Sequence, residues 1–359
     1  MRNVSETFNF SQIRECSSEK WIESELNALH NENIKWPTKT DDFFPYSSDP
    51  HAFWTGYFTS RPTLKGLIRK CNNLLQAIKQ VSAILRLNRG EELERLAEAM
   101  AVAQHHDAVT GTAKQHVTDD YYKRLFIGML GTNELLSEGF RKMTQSSNSV
   151  PKCTEYVYCP LLNISSCPFT EDQQSFVVNI YNPVSRVSQD WMWYAGMAGN
   201  NTESIYRASG AYIFRPDGSI KKFSDVAKIT AIYDDSLVAE IHQQWTTWVS
   251  QVLRIYKDKN YVESDWLVGP IPIEDGIGKE IVNQFHFKNL KTNQTFYTDA
   301  NGREMQKRVK DFRPTWKLNS TEPVSQNYYP VTSRIIISSS DGKTKAAIMN
   351  DRAQVSCKC

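Results

Sequence analysis

The chain has 359 residues, 40% of them hydrophobic and 23% charged, which are the proportions of a soluble globular protein of two or three domains. A net charge of +2 supplies no concentrated basic face for a nucleic-acid partner. No apolar run is long enough to cross a bilayer, and the opening MRNVSETFNF lacks the apolar core of a signal peptide.

Residues 1–30 are polar and show no clear period. WPTKTDDFFPY (residues 36–46) reads as an extended segment, and the aromatic residues Phe43, Phe44, Tyr46, Phe53, Trp54, Tyr57 and Phe58 crowd the stretch that follows. Pro62 suits a first helical turn. Leu64, Leu67, Ile68, Cys71, Leu74, Leu75, Ile78, Val81 and Leu85 then recur at spacings of three and four, which predicts a helix that breaks at Asn88-Arg89-Gly90. A second helix is expected from Glu91 to about Ala108, with its acidic start complementing the helix dipole. Thr112-Ala113-Lys114-Gln115 is a capping-box pattern for a third, which runs to Met143 and carries Gly128 and Gly131 as potential interruptions. Three amphipathic helices on short turns predict a bundle. Beyond TQSSNSVP (residues 144–151) the chain reads as strands: Phe176–Tyr181, Ala211–Phe214, Lys228–Tyr233, Leu237–Trp248, Val252–Tyr256 and Val262–Val268. The expectation is a multidomain α+β chain. Residues 1–60 would be a divergent start and the remnant of an α/β domain edge, 61–146 a three-helix bundle, and 147–359 an antiparallel β-sandwich-like domain.

Secretory signs accompany this. Asn3, Asn9, Asn163, Asn200, Asn293 and Asn319 head Asn-x-Ser/Thr sequons. Of seven cysteines, Cys159 and Cys167 bracket a short loop that a disulfide can close, although buried thiols in a reducing compartment fit the same residues. Such signs without a signal peptide suggest a chain whose start is missing.

Chemistry concentrates in AVAQHHDAVTGTAKQHV (residues 101–117). Imidazole and carboxylate together are metal ligands, but zinc needs three or four such groups and adjacent helical residues point about 100° apart. His105 and His106 would then not share a site, and His116, Asp119 and Asp120 are the local candidates to complete a shell. The plain alternative is a polar helix end whose histidines interact with the dipole. Trp54 and Tyr57 offer faces on which a sugar can stack, or else pack in a core. Asp41 and Asp42 are adjacent carboxylates that an extended segment points opposite ways.

QHHDAVTGTAKQHVTDDYYKRL resembles the middle-domain signature of the α-mannosidases of glycoside hydrolase family 38. DDFFPYSSDPHAFWTGYFTSRPTLK is similar to the segment leading into that domain. YNPVSR, SGAYIFRPDG, VGPIPI, FYTDANGREMQKR and RPTWKLNSTEPVSQNYYPV resemble the β-domain of the lysosomal branch. The resemblance implies a zinc-dependent, retaining exo-mannosidase acting on mannose-containing oligosaccharides in the lysosome. His106 would be a zinc ligand, Asp107 would hydrogen-bond sugar hydroxyls, Trp54 would lie under the mannose ring, and Tyr194 would reach substrate from the β-domain. The family's nucleophile, acid/base and further zinc ligands come from an upstream domain with a His-x-Asp-x-Gly-Trp strand end, which this sequence does not contain. A long β segment is also expected after Tyr181-Asn182-Pro183-Val184-Ser185-Arg186, where this chain passes almost directly to Asp190-Trp191. Downstream, DRAQ normally leads into a Gly-Gly-Ser-Ser loop and a further β-domain, whereas here VSCKC follows. The expectation is therefore a partial chain, inactive alone; a non-catalytic carbohydrate-binding module and a non-functional truncation product are the alternatives.

Overall fold

The structure is a computed structural model that describes residues 38–87, 90–144, 188–287 and 290–356, together with Glu23, Ser24, Leu26, Asn27, Cys159, Cys167 and Glu171. The chain divides into two compact units, residues 1–42 and 43–359. In the first, Lys39 pairs with Asp41 at 2.7 Å. All that follows concerns the second.

Four helices open it: α1 (Pro62–Leu85), α2 (Gly90–Ala103), α3 (Gln115–Gly131) and α4 (Asn133–Thr144). Leu64, Ile68, Cys71, Leu75 and Ile78 of α1 form one buried stripe with Leu96, Ala99, Met100, Leu125 and Met129 of the next two helices. Burying each such aliphatic side chain contributes about 1.5–3 kcal/mol, and that stripe carries the bundle. A Cβ on Gly128 would stand 3.0 Å from the Cα of Leu96, so this glycine sets how closely α2 and α3 approach. The expected third helix is two. It breaks at Thr132, whose buried hydroxyl donates to the Met129 carbonyl at 2.7 Å and satisfies one of the open groups at the end of α3.

Two further differences matter for the site. The second expected helix stops at Ala103, and residues 104–111 run on as turns. The expected capping box does not form: Lys114 is the N-cap of α3 with no side-chain bond, and the Thr112 hydroxyl goes elsewhere.

The β region is antiparallel wherever strands pair. β1 (Ser188–Gly196) lies between β2 (Pro216–Lys222) and β7 (Lys279–His286). β3 (Lys228–Asp234), β4 (Val238–Thr246), β5 (Val249–Tyr256) and β6 (Val262–Val268) form a four-stranded meander. β8 (Thr295–Ala300), β9 (Glu304–Val309), β11 (Arg334–Ser338) and β12 (Lys345–Met349) form a second four-stranded sheet in the non-sequential order β12-β11-β8-β9, and β10 (Tyr329–Val331) pairs with β13 (Gln354–Ser356). The sheet of β1 and the first meander meet at Trp191, which packs near Trp245 and Trp266 and donates its indole N–H to Gln251 at 2.9 Å. The strands expected at 228–233, 252–256 and 262–268 are present. Residues 211–214 instead form a loop outside the strands, and Phe176–Tyr181 falls outside the described residues. Cys159 and Cys167 are joined by a disulfide with their Cα atoms 5.3 Å apart.

Candidate functional site

Three chain segments meet around Asp107. The first is the turn 104–112 between α2 and α3. Gly111 adopts φ +77°, and a Cβ there would come within 2.2 Å of the Ser60 carbonyl oxygen, so the turn lies directly on the chain entering α1. Two cations from that entry hold it. Arg61 Nη1 donates to the carbonyls of Gly111 and Ala113, each at 2.6 Å, and the buried Lys65 Nζ donates to those of Val109 at 2.7 Å and Thr110 at 3.1 Å. Burial brings the Lys65 ammonium down to about 8.

Released from helical geometry, the two histidines share a partner. Their rings lie 4.3 Å apart, and Asp107 Oδ2 is 3.5 Å from His105 Nε2 and 3.8 Å from His106 Nε2. The helical argument against a shared site fails because the helix ends two residues before the pair. Asp107 Oδ1 accepts from the Thr112 hydroxyl at 2.8 Å and from Tyr212 Oη at 3.1 Å. The Thr112 hydroxyl foremost, then that of Tyr212 and the imidazoles, holds the Asp107 carboxyl below the usual carboxylate range. His106 is 85% exposed, so its ring is free to turn toward a ligand.

The second segment brings Trp54, whose ring lies 5.5 Å from that of Tyr212 and whose indole N–H donates to Ser48 Oγ at 3.0 Å. The third is the loop before β2 that carries Tyr212. Gly56 N–H donates to the Tyr212 carbonyl at 3.0 Å and Ser60 Oγ to that of Ala211 at 2.7 Å. At the end of this loop Arg215, buried, donates through Nε to Glu322 at 2.8 Å and through Nη1 to the carbonyls of Ile205 and Arg207 at 2.8 and 2.9 Å.

His106, Asp107 and Trp54 are thus gathered at one place. Tyr194 is not seen there: it is buried on β1 against Phe214. Sequence reasoning missed Tyr212, which lies within SGAYIFRPDG but reads there as a strand residue. His116, Asp119 and Asp120 do not join the cluster; Asp119 accepts from Gln115 at 2.8 Å and Asp120 pairs with Arg124 at 2.6 Å. Among the described residues one group of imidazole and carboxylate atoms can hold a metal ion, that of His105, His106 and Asp107, whose ligand atoms lie within 4.8 Å of one another. Two imidazoles and a carboxylate are the donor chemistry of a zinc site.

This imidazole–carboxylate cluster, with the Trp54 and Tyr212 rings beside it, sits on a helical bundle followed by antiparallel sheets. Residues 52–143 match the α-mannosidase middle domain, and residues 179–355 match the glycosyl hydrolases family 38 C-terminal domain. The chain belongs to glycosyl hydrolase family 38. It is 34% identical to the lysosomal α-mannosidase of Cavia porcellus over 92% of this chain and 43% of that protein. It is 32% identical to the Homo sapiens lysosomal α-mannosidase over 92% of this chain and 44% of that protein, and 28% identical to an α-mannosidase of Canavalia ensiformis over 91% and 47%. The chain therefore spans less than half the length of these curated relatives.

Proposed function

We propose that this chain supplies the helical and β domains of a lysosomal-type α-mannosidase that removes terminal α-linked mannose from N-glycans by a zinc-dependent, retaining mechanism. The observation that carries the reading is the convergence of His106, Asp107, Tyr212 and Trp54 from three separate chain segments onto one accessible surface. His106 would hold zinc, with His105 and Asp107 as neighbouring donors, and the metal when bound would grip vicinal sugar hydroxyls as a Lewis acid. Asp107, kept ionised, accepts hydrogen bonds from sugar hydroxyls. Trp54 gives the apolar face of the ring a surface to lie on, and Tyr212 fixes the indole and the carboxylate relative to each other.

Retaining hydrolysis also needs a nucleophile and an acid/base, two carboxyl groups about 5–5.5 Å apart. The His105–His106–Asp107 group contains one carboxylate, and it is already engaged by Thr112 and Tyr212. We infer that the chain by itself binds mannose without turnover. Hydrolysis of 4-nitrophenyl α-mannoside, with zinc supplied, at acidic and neutral pH, is expected to stay at background. Mannose binding by calorimetry is expected in the unsubstituted chain and to weaken at least tenfold in Asp107→Ala, the loss of a charge-assisted hydrogen bond or two. Turnover abolished by Asp107→Ala or His106→Ala would show that a nucleophile lies within this chain after all. Absence of mannose binding would leave the non-functional alternative.

A further inference from the structure

The polypeptide around the site makes a tight hairpin. Ser47 and Phe53 form an antiparallel bridge, and Trp54 N–H donates to the Tyr46 carbonyl at 2.9 Å. Side chains alternate across such a pair. Phe53 is 4% exposed and faces the interior, so Tyr46 and Trp54 emerge together on the other side. Their rings lie 5.4 Å apart at 74°, and Trp54 in turn lies 5.5 Å from Tyr212 at 57°. The result is a row that begins at Asp107 and runs through Tyr212 and Trp54 to Tyr46, which is 53% exposed.

We propose that Tyr46 is a second sugar subsite, against which the second hexose of an oligosaccharide rests while the terminal mannose lies over Trp54 and Asp107. This rests on the reading of the site as a mannose site and specifies its substrate as an oligosaccharide of two or more units. A pyranose presents an apolar C–H face bordered by hydroxyls. The row matches that alternation, since each ring stands beside a polar atom: the Tyr46 hydroxyl, Ser48 Oγ at the indole N–H, and Tyr212 Oη on Asp107. The ring spacing is about the length of one sugar unit. The hairpin is also held in place before any ligand arrives. Ser48 N–H donates to the Ala52 carbonyl at 3.2 Å, and Asp49 accepts from Ser204 at 2.8 Å and pairs with Arg207 at 2.7 Å. A preformed surface of this kind loses little freedom on binding.

The test is calorimetry on the full chain with two probes, methyl α-mannoside and an α-linked mannobiose. The disaccharide is expected to bind roughly tenfold more tightly, the gain from one aromatic contact. Tyr46→Phe, which keeps the ring and loses the hydroxyl, lowers that ratio only in part; Tyr46→Leu, which removes the ring, brings it close to one. Trp54→Ala weakens both probes together. A Tyr46→Leu protein with the wild-type ratio, or a wild type with no preference for the disaccharide, overturns the subsite while leaving the mannose site standing. Binding of neither probe removes the underlying reading and the subsite with it. As a check that needs no substitution, nuclear Overhauser contacts are expected between the Tyr46 ring and the second sugar of mannobiose in the unsubstituted chain; their absence overturns the proposal.

Discussion

Asp107 shows how much of the site depends on residues that never touch a ligand. Its position is set by the turn 104–112, and that turn lies where it does because Gly111 has no Cβ and because Lys65 and Arg61 supply donors to three of its carbonyls and to that of Ala113 just after it. Gly111→Ala forces a left-handed residue into the Ser60 backbone and is expected to cost about 3 kcal/mol or more in stability. Lys65→Met leaves two carbonyls without their donor and is expected to cost about 1–3 kcal/mol. Urea unfolding measures both, and in both proteins mannose binding should weaken together with stability. The candidate ligand and sugar residues His106, Asp107 and Trp54 were legible in the sequence because they lie in contiguous motifs. Tyr212 was not, since its role comes from a contact 105 positions away in the chain. The sharing of Asp107 by both histidines was hidden too, because Gln104-His105-His106-Asp107-Ala108 contains no Gly or Pro to end a helix before Gly111, although the helix stops at Ala103.

Among the elements, the helices were the most legible, since a buried stripe leaves a regular spacing. The break at Thr132 was legible in part: Gly131, the last residue of α3, stood out as a potential interruption, although the apolar spacing continues past it into Leu135 and Leu136. The strand of greatest consequence for the site is β7. Its Glu280 accepts from the Thr59 hydroxyl at 3.1 Å, which ties the sheet to the chain entering α1. Burial raises the Glu280 carboxyl from its ordinary 4.5 to about 7, and the Thr59 bond offsets part of that. The folded protein therefore keeps this proton where the unfolded chain has lost it. The stabilising protonated state is fully present below about pH 4.5, and its contribution is lost as the pH rises to about 7. Glu280→Gln is expected to remove about 3 kcal/mol of the decline in stability across that window, read from unfolding at a series of pH values. A variant with the same pH profile as wild type would mean that Glu280 ionises freely.

At the scale of the molecule, the α+β class and the order of helices before sheets followed from the change of period near residue 150. How the two parts fit together did not, because their contacts join residues far apart in sequence. Phe214 N–H donates to the Phe53 carbonyl at 3.3 Å, Gly56 N–H to Tyr212, Arg69 to the Thr332 carbonyl, and Arg352 Nη1 to the Pro62 carbonyl at 3.2 Å. The Arg352 guanidinium also lies 4.8 Å from the Trp266 ring centroid, so one side chain touches both parts. All four are accepted by backbone carbonyls, two from backbone N–H groups and two from arginine side chains. They predict that the covalent link between the two parts is dispensable for holding the site together. Residues 43–144 and 188–356, produced as separate polypeptides and mixed, are expected to co-elute as a one-to-one complex that binds mannose, while neither binds it alone. If the pieces ignore each other, the connecting segment is what holds them; if they associate, the sugar site can be treated as an interface, and changes on one side of it can be selected against a fixed partner on the other.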